Sequence, residues 1–149
     1  MVWGGISMNG KKTLVIVPGR LNGQRYIDEI ITPHVIPYMH NLGPGSTFQD
    51  DNARPHRARI VNDLLQQQNI NRFDWPAYSP DLNPIENFWD QLGRAVYARV
   101  HEDMTLPQLE QVLLQEWNNI PQARVQRVIN SMHRRCESCI AAAGGHTHY

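Results

Sequence analysis

The chain has 149 residues, 41% of them hydrophobic, with 14 basic residues against 14 acidic ones. That length holds about one domain with a real core, and a mean hydropathy of −0.50 excludes a disordered or helical membrane protein, since no apolar run approaches the ~20 residues a span needs. Balanced charge leaves any nucleic-acid contact to local patches.

The opening MVWGGIS lacks a basic segment followed by an apolar one, so no secretory signal is read there. Two β-like runs, 2–6 and 13–17, flank Met8-Asn9-Gly10-Lys11, and Asn-Gly between apolar runs predicts a hairpin. Apolar residues at 26, 27, 30 and 31 predict a helix that Pro33 and Pro37 should kink or segment. After a loop over 41–46 comes a strand over 47–51, then a helix over 57–68 with Asn69 at its C-terminal cap. A second strand, 70–75, stops at Pro76.

The helix expected from Pro84 to about Val100 carries Ile85, Phe88, Trp89, Leu92 and Val96 on one stripe. Thr105-Leu106-Pro107-Gln108 is a capping box opening a helix with Leu106, Leu109, Leu113, Trp117 and Ile120 inward. A last helix runs from Pro121 to about Ile140, and residues 141–149 form a tail. No repeat or linker divides the chain, so 1–149 reads as one mixed α/β domain, folded over 1–140.

Three places could carry chemistry. Asp51 ends a strand, where α/β sheets present functional groups; the alternative is an Asx turn at a strand–helix junction. Asp50 points to the opposite face by strand alternation, so only one of the two can share a site with a third group. Glu86 follows Asn83 and Pro84 as the third residue of a capping arrangement, yet it also flanks the buried stripe. Asp51 and Glu86 are 86 − 51 = 35 positions apart. Two carboxylates with no His or Cys ligand suit a hard cation, Mg²⁺ or Mn²⁺. Cys136 and Cys139, with His133, His146 and His148 nearby, offer half a zinc site, against a simpler reading as small buried residues on an apolar stripe. Two cysteines alone make no disulfide framework, and a reducing setting is expected.

The strings FQDDNARPH (48–56) and WPAYSPDLNPIENFW (75–89), the 34 residues between the two acids and the ending GGHTHY resemble the catalytic domain of Tc/mariner-type DDE transposases. The resemblance covers essentially the whole chain. It implies an RNase H-like fold, DNA cleavage and strand transfer with two Mg²⁺ or Mn²⁺ ions, transposon-end and target DNA as partners, and a nuclear location. A homodimer is a further expectation. Asp51 resembles the second acid of the triad and Glu86 the third, with Asn52 and His56 in supporting places. Asp50 stands where the family usually has a non-acidic residue. Arg54 and Arg57, beside Asp51, and Arg124 and Arg127, on the last helix with Arg134 and Arg135, are candidates for phosphate contacts.

The family's first acid lies on a central strand upstream of the segment resembling MVWGGIS. Before Asp50 the only acids are Asp28 and Glu29, on a predicted helix. The expectation is therefore an N-terminally truncated remnant, inactive alone. The competing expectation is a remnant that binds nucleic acid or protein without catalysis.

Overall fold

The computed structural model describes residues 1–76 and 79–143. In chain order its elements are β1 (Val2–Trp3), β2 (Ile6–Ser7), β3 (Gly10–Lys11), β4 (Val15–Ile16), α1 (Gly23–Tyr26), a π-helical stretch (Ile27–Val35), α2 (Ile36–Leu42), β5 (Thr47–Phe48), α3 (Arg59–Gln67), β6 (Asn71–Arg72), a 3₁₀ turn (Pro80–Leu82), α4 (Glu86–Tyr97), α5 (Leu106–Asn119), α6 (Gln122–Asn130) and α7 (Met132–Ala141). They fall into two compact units, Met1–Trp3 with Val17–Tyr78, and Gly4–Ile16 with Ser79–Tyr149. Among the described residues no helix is long and apolar enough to cross a membrane. Tyr78, the C-terminal GGHTHY, and with it His146 and His148 of the zinc alternative, lie outside the described residues.

In the first unit, the helix expected to be kinked or segmented by Pro33 and Pro37 is segmented, as α1, the π-helical stretch and α2, without a gap in the helical run. It runs on from Gly23 to Leu42, and Pro33 sits inside the π-helical stretch. A proline within an α-helix loses a hydrogen bond and presses on the carbonyl four residues back; the wider i→i+5 turn gives its ring room. Tyr26, Ile30, Ile31, Val35 and Met39 are all buried along this run. They meet the apolar face of α3, whose Val61 and Leu65 are buried in the same core. Asn69, with φ of 53°, ends α3. The Ile70 N–H donates to the Leu65 carbonyl and the Asn69 N–H to that of Gln66, a Schellman motif that satisfies the last carbonyls.

Helix α3 connects two parallel strands. Thr47 pairs with Asn71 and Phe48 with Arg72, and the Phe73 N–H donates to the Phe48 carbonyl at 2.8 Å. Both strands are shorter than the sequence predicts. Asp50 and Asp51 thus lie just past the C-terminal end of β5, off the ladder.

The second unit holds the predicted hairpin, displaced by one residue. Ile6 pairs with Lys11 and Ser7 with Gly10, so Met8-Asn9 makes the turn and Gly10 enters a strand. Across the helices, Lys11 Nζ donates to the Asn118 and Ile120 carbonyls at the end of α5, and Gln122 Nε2 donates to the Ser7 and Met8 carbonyls. The capping box is present, with Gln108 Oε1 accepting from the Thr105 N–H at 2.8 Å. Leu106, expected inward, is exposed; Val112 takes the buried place instead. Glu86 is the first residue of α4 instead of the third, and Asn83 Oδ1 accepts from the Ile85 N–H at 3.4 Å.

The single last helix of the sequence reading is two, broken at Ser131, whose hydroxyl donates to the Val128 carbonyl and so competes with the helical ladder. The break turns Arg135 inward. Its Nε donates to Ser131 Oγ and its Nη1 to the Asp81 carbonyl, so it is a buried clamp and leaves the basic face. Cys136 is exposed and Cys139 half-buried, which corrects the expectation that both are small core residues.

Gly4 is a point of close approach. A Cβ there would lie 3.0 Å from ring atoms of both Trp117 and Trp89. Neither ring has a flexible end to yield. Gly4→Ala is expected to destabilise the second unit by about 1–3 kcal/mol through overpacking, read as a lower urea midpoint with an unchanged slope. An unchanged midpoint would mean that the two rings have slack.

Candidate active site

Asp51 belongs to the first unit and Glu86 to the second. Glu86, the first residue of α4, is exposed.

Around Asp51 the chain has left β5 and turns toward α3. The turn is held by Asp51 itself, whose Oδ1 accepts the Ala53 N–H at 2.9 Å, the Asx geometry the sequence offered as an alternative. Asn52 reaches the other way, its Nδ2 donating to the Trp75 carbonyl at 3.0 Å. That bond ties the loop to the segment following β6. His56 Nδ1 lies 2.6 Å from Asp51 Oδ1, and its ring stacks on Tyr26 with centroids 4.3 Å apart and planes at 28°. The buried Tyr26 ring thus fixes the imidazole, and the imidazole fixes the carboxylate.

The His56 imidazole against Oδ1, opposed by burial and helped by the Ala53 N–H, holds the Asp51 carboxyl below the ordinary aspartate range. Asp51 is therefore ionised at neutral pH. Both of those contacts fall on Oδ1, and the side chain is 56% exposed. The other oxygen faces outward, able to accept.

Asp50, adjacent in the chain, is in the opposite situation. Its side chain is 5% exposed, with Oδ1 3.9 Å from Arg57 Nη2 and Oδ2 3.7 Å from Arg72 Nε. Burial pushes its carboxyl up, and Arg72, His56 and Arg57 pull it back only in part. Arg72 is anchored by its Nη1, which donates to Asn62 Oδ1 at 2.9 Å. Burial also pushes the Tyr26 phenol up. Sequence reading set Asp50 aside and passed over Tyr26 and Arg72. The only signal for them was the paired acids in FQDDNARPH, since the register that brings Arg72 beside Phe48 is a long-range pairing.

The remaining candidates divide by exposure. Arg54 is exposed beside Asp51, and Arg57 is turned partly inward to Asp50. Arg124 and Arg127 are exposed on α6, next to a groove lined by Gln126, Arg127, Asn130 and Arg134. Of the earlier acids, Glu29 is bonded to Arg25 along the helix and Asp28 accepts from Gln24. Among the described residues no three His, Cys, Asp or Glu side chains form a group that could hold a metal ion.

Comparison with known proteins gives a consistent set of likenesses. The DDE superfamily endonuclease family matches residues 1–106. The Tc3 transposase of Caenorhabditis elegans is 34% identical over 150 residues, covering all of this chain and 45% of that protein. Among solved structures, the Mos1 transposase catalytic domain with Raltegravir and Mn superposes with a TM-score of 0.74 at 23% identity, over 92% of this chain and 70% of that one. The Mos1 paired-end complex with the left transposon end superposes with a TM-score of 0.71 at 24% identity, over 91% of this chain and 40% of that one. These likenesses show an RNase H-like α/β fold with C-terminal helices. The chain spans about half the length of the relatives it matches.

Proposed function

The chain belongs to the DDE superfamily of endonucleases, on its Tc/mariner branch, and we propose that it carries two acids, Asp51 and Glu86, of a metal-dependent centre for transposon DNA cleavage and strand transfer. The observation that supports this most is Asp51 itself: an ionised carboxylate at the end of a parallel strand, with one oxygen tied by His56 and Ala53 and the other facing outward. An outward, ionised oxygen donor fits a hard divalent cation. The donors assembled among the described residues do not by themselves complete a metal group, so Asp51 and Glu86 are read as part of the set. When bound, Mg²⁺ or Mn²⁺, as two ions in the intact centre, supplies Lewis-acid stabilisation and an activated water or 3′-hydroxyl.

The chain's own residues have definable tasks in that reading. His56 orients Asp51 and keeps it charged. Asn52 holds the loop to the Trp75 carbonyl, so the carboxylate stays at the strand end. Exposed Arg54 meets the phosphates of DNA approaching Asp51, and Arg124 and Arg127 offer a second phosphate contact. Two copies on paired transposon ends are the assembly this reading expects. A second reading is DNA binding without cleavage; within this chain Asp28 and Glu29 are engaged along their helix and are not read as the first acid.

Paramagnetic broadening by Mn²⁺ tests the assignment. The amide signals of Asp51, Asn52 and Glu86 should broaden at substoichiometric Mn²⁺, and Asp51→Asn should raise the required concentration at least about tenfold, as loss of one anionic ligand does. Broadening confined to other residues would remove the metal reading. Plasmid bound but never nicked with Mn²⁺ would favour the second reading.

A further inference from the structure

Asp50 and its two arginines are unexplained by the fold. Both carboxylate oxygens, and Nε and Nη2 of Arg57 and of Arg72, are buried without a hydrogen-bond partner. The groups face one another at 3.7 and 3.9 Å, close enough for charge attraction and too far for hydrogen bonds. Such a half-satisfied buried network is costly, and an apolar cluster of the same volume is often more stable. Stability alone does not account for it.

Position does. Of the two neighbouring carboxylates Asp50 is buried, its side chain 5% exposed, while that of Asp51 is 56% exposed, and Arg57 acts on both: it faces Asp50 and also lowers the Asp51 carboxyl through space. A guanidinium free to choose would take the more exposed acid in a two-pronged grip and cover both its oxygens. We propose that Asp50 is a positioning residue for Asp51: its buried carboxylate draws Arg57 and Arg72 inward, so that Asp51 is left to His56 and keeps one oxygen open for a divalent cation. Asp50 also cancels positive charge that would otherwise repel that cation. The proposal rests on the reading of Asp51 as a metal ligand.

The test uses the full chain and Mn²⁺ titrations read on the Asn52 and Ala53 amide signals, with a melt of every variant. Asp50→Asn is expected to weaken Mn²⁺ about tenfold, the order expected for one uncompensated charge nearby. Adding Arg57→Gln to Asp50→Asn restores the charge balance and should recover most of the loss, and Asp50→Glu should bind nearly as the parent does. A merely structural role would not be rescued by deleting an arginine. Should Asp50→Asn fail to fold, Arg57→Gln alone decides: binding kept or tightened supports the proposal, and binding weakened overturns it. Mn²⁺ bound by the parent, lost in Asp51→Asn and unchanged in Asp50→Asn sinks this proposal and spares Asp51. A parent whose Mn²⁺ response is unaltered by Asp51→Asn sinks the Asp51 reading, and this proposal with it.

Discussion

Trp117→Ala is expected to destabilise the second unit by about 3–5 kcal/mol, the cost of emptying a large buried aromatic site. In a chain of this size that lowers the melting midpoint by about 10 °C. Trp117 is 1% exposed, and three independent contacts converge on it. Its Nε1 donates to the Lys12 carbonyl at 2.7 Å, its ring stacks on Trp89 with centroids 5.3 Å apart, and Gly4 lies directly against it. The first contact joins α5 to the hairpin and the second joins α5 to α4. Trp117→Phe separates the terms in part: it keeps one aromatic ring but loses the donor and the volume of the second ring, so a cost of about 1–3 kcal/mol is expected. Urea titrations of both variants check this. If Trp117→Ala costs under about 1 kcal/mol, the indole is not a packing centre of this unit.

The contrast between Trp117 and Leu106 shows what the sequence could and could not disclose. Both stood on the predicted stripe of α5, yet Leu106 occupies the first turn, beyond the reach of neighbouring elements, and is exposed. Periodicity identifies a face, not how far along the helix that face is covered. Likewise, proline chemistry predicted a kinked or segmented helix around Pro33 but not its form, because the local rule assumes an α-helix and the ring is accommodated in a π-helical stretch. The capping box at Thr105 and the cap at Asn69 were legible, because they depend on residues three or four positions apart.

Candidate chemistry followed the same division. Asp51, Asn52 and His56 lie within one short string, so the motif exposed them together, and the structure sets His56 on Asp51 and Asn52 on the Trp75 carbonyl. Tyr26 and Arg72 reach the same place from a helix before and a strand after. Only the packing of the helix run onto the loop and the Phe48–Arg72 register bring them there. Asp50 was visible but read through strand alternation as facing away. What it faces is a pair of arginines.

That arrangement makes Arg72→Ala the most damaging change expected in the first unit. Removing one partner of a buried charge pair typically costs about 3–5 kcal/mol, because the survivor is left uncompensated. Here the survivor is Asp50, 5% exposed at its side chain, with Arg57 at 3.9 Å and the through-space pull of His56 remaining. The loss should depend on pH, and its sign follows from linkage. The Asp50 carboxyl is already raised by burial, and Arg72 is the largest of the groups pulling it down. A carboxyl raised in the folded state contributes stability that is complete below its unfolded value near 3.8 and lost as pH rises through the folded value. Deleting Arg72 raises the folded value further, so the variant's deficit should be greatest at pH 7 and shrink on acidification, as Asp50 takes up a proton. The neighbouring Asp51, held low by His56, works against this: its contribution is present above the unfolded value and fades as pH falls through the folded one. The two acids therefore separate in pH, Asp50 responding on the less acidic side. Urea midpoints of parent and Arg72→Ala, measured from pH 7 down to pH 4, should converge as the pH falls. A gap that stays constant over that range would mean that the cost lies in lost packing of the arginine stem and not in the stranded Asp50 charge.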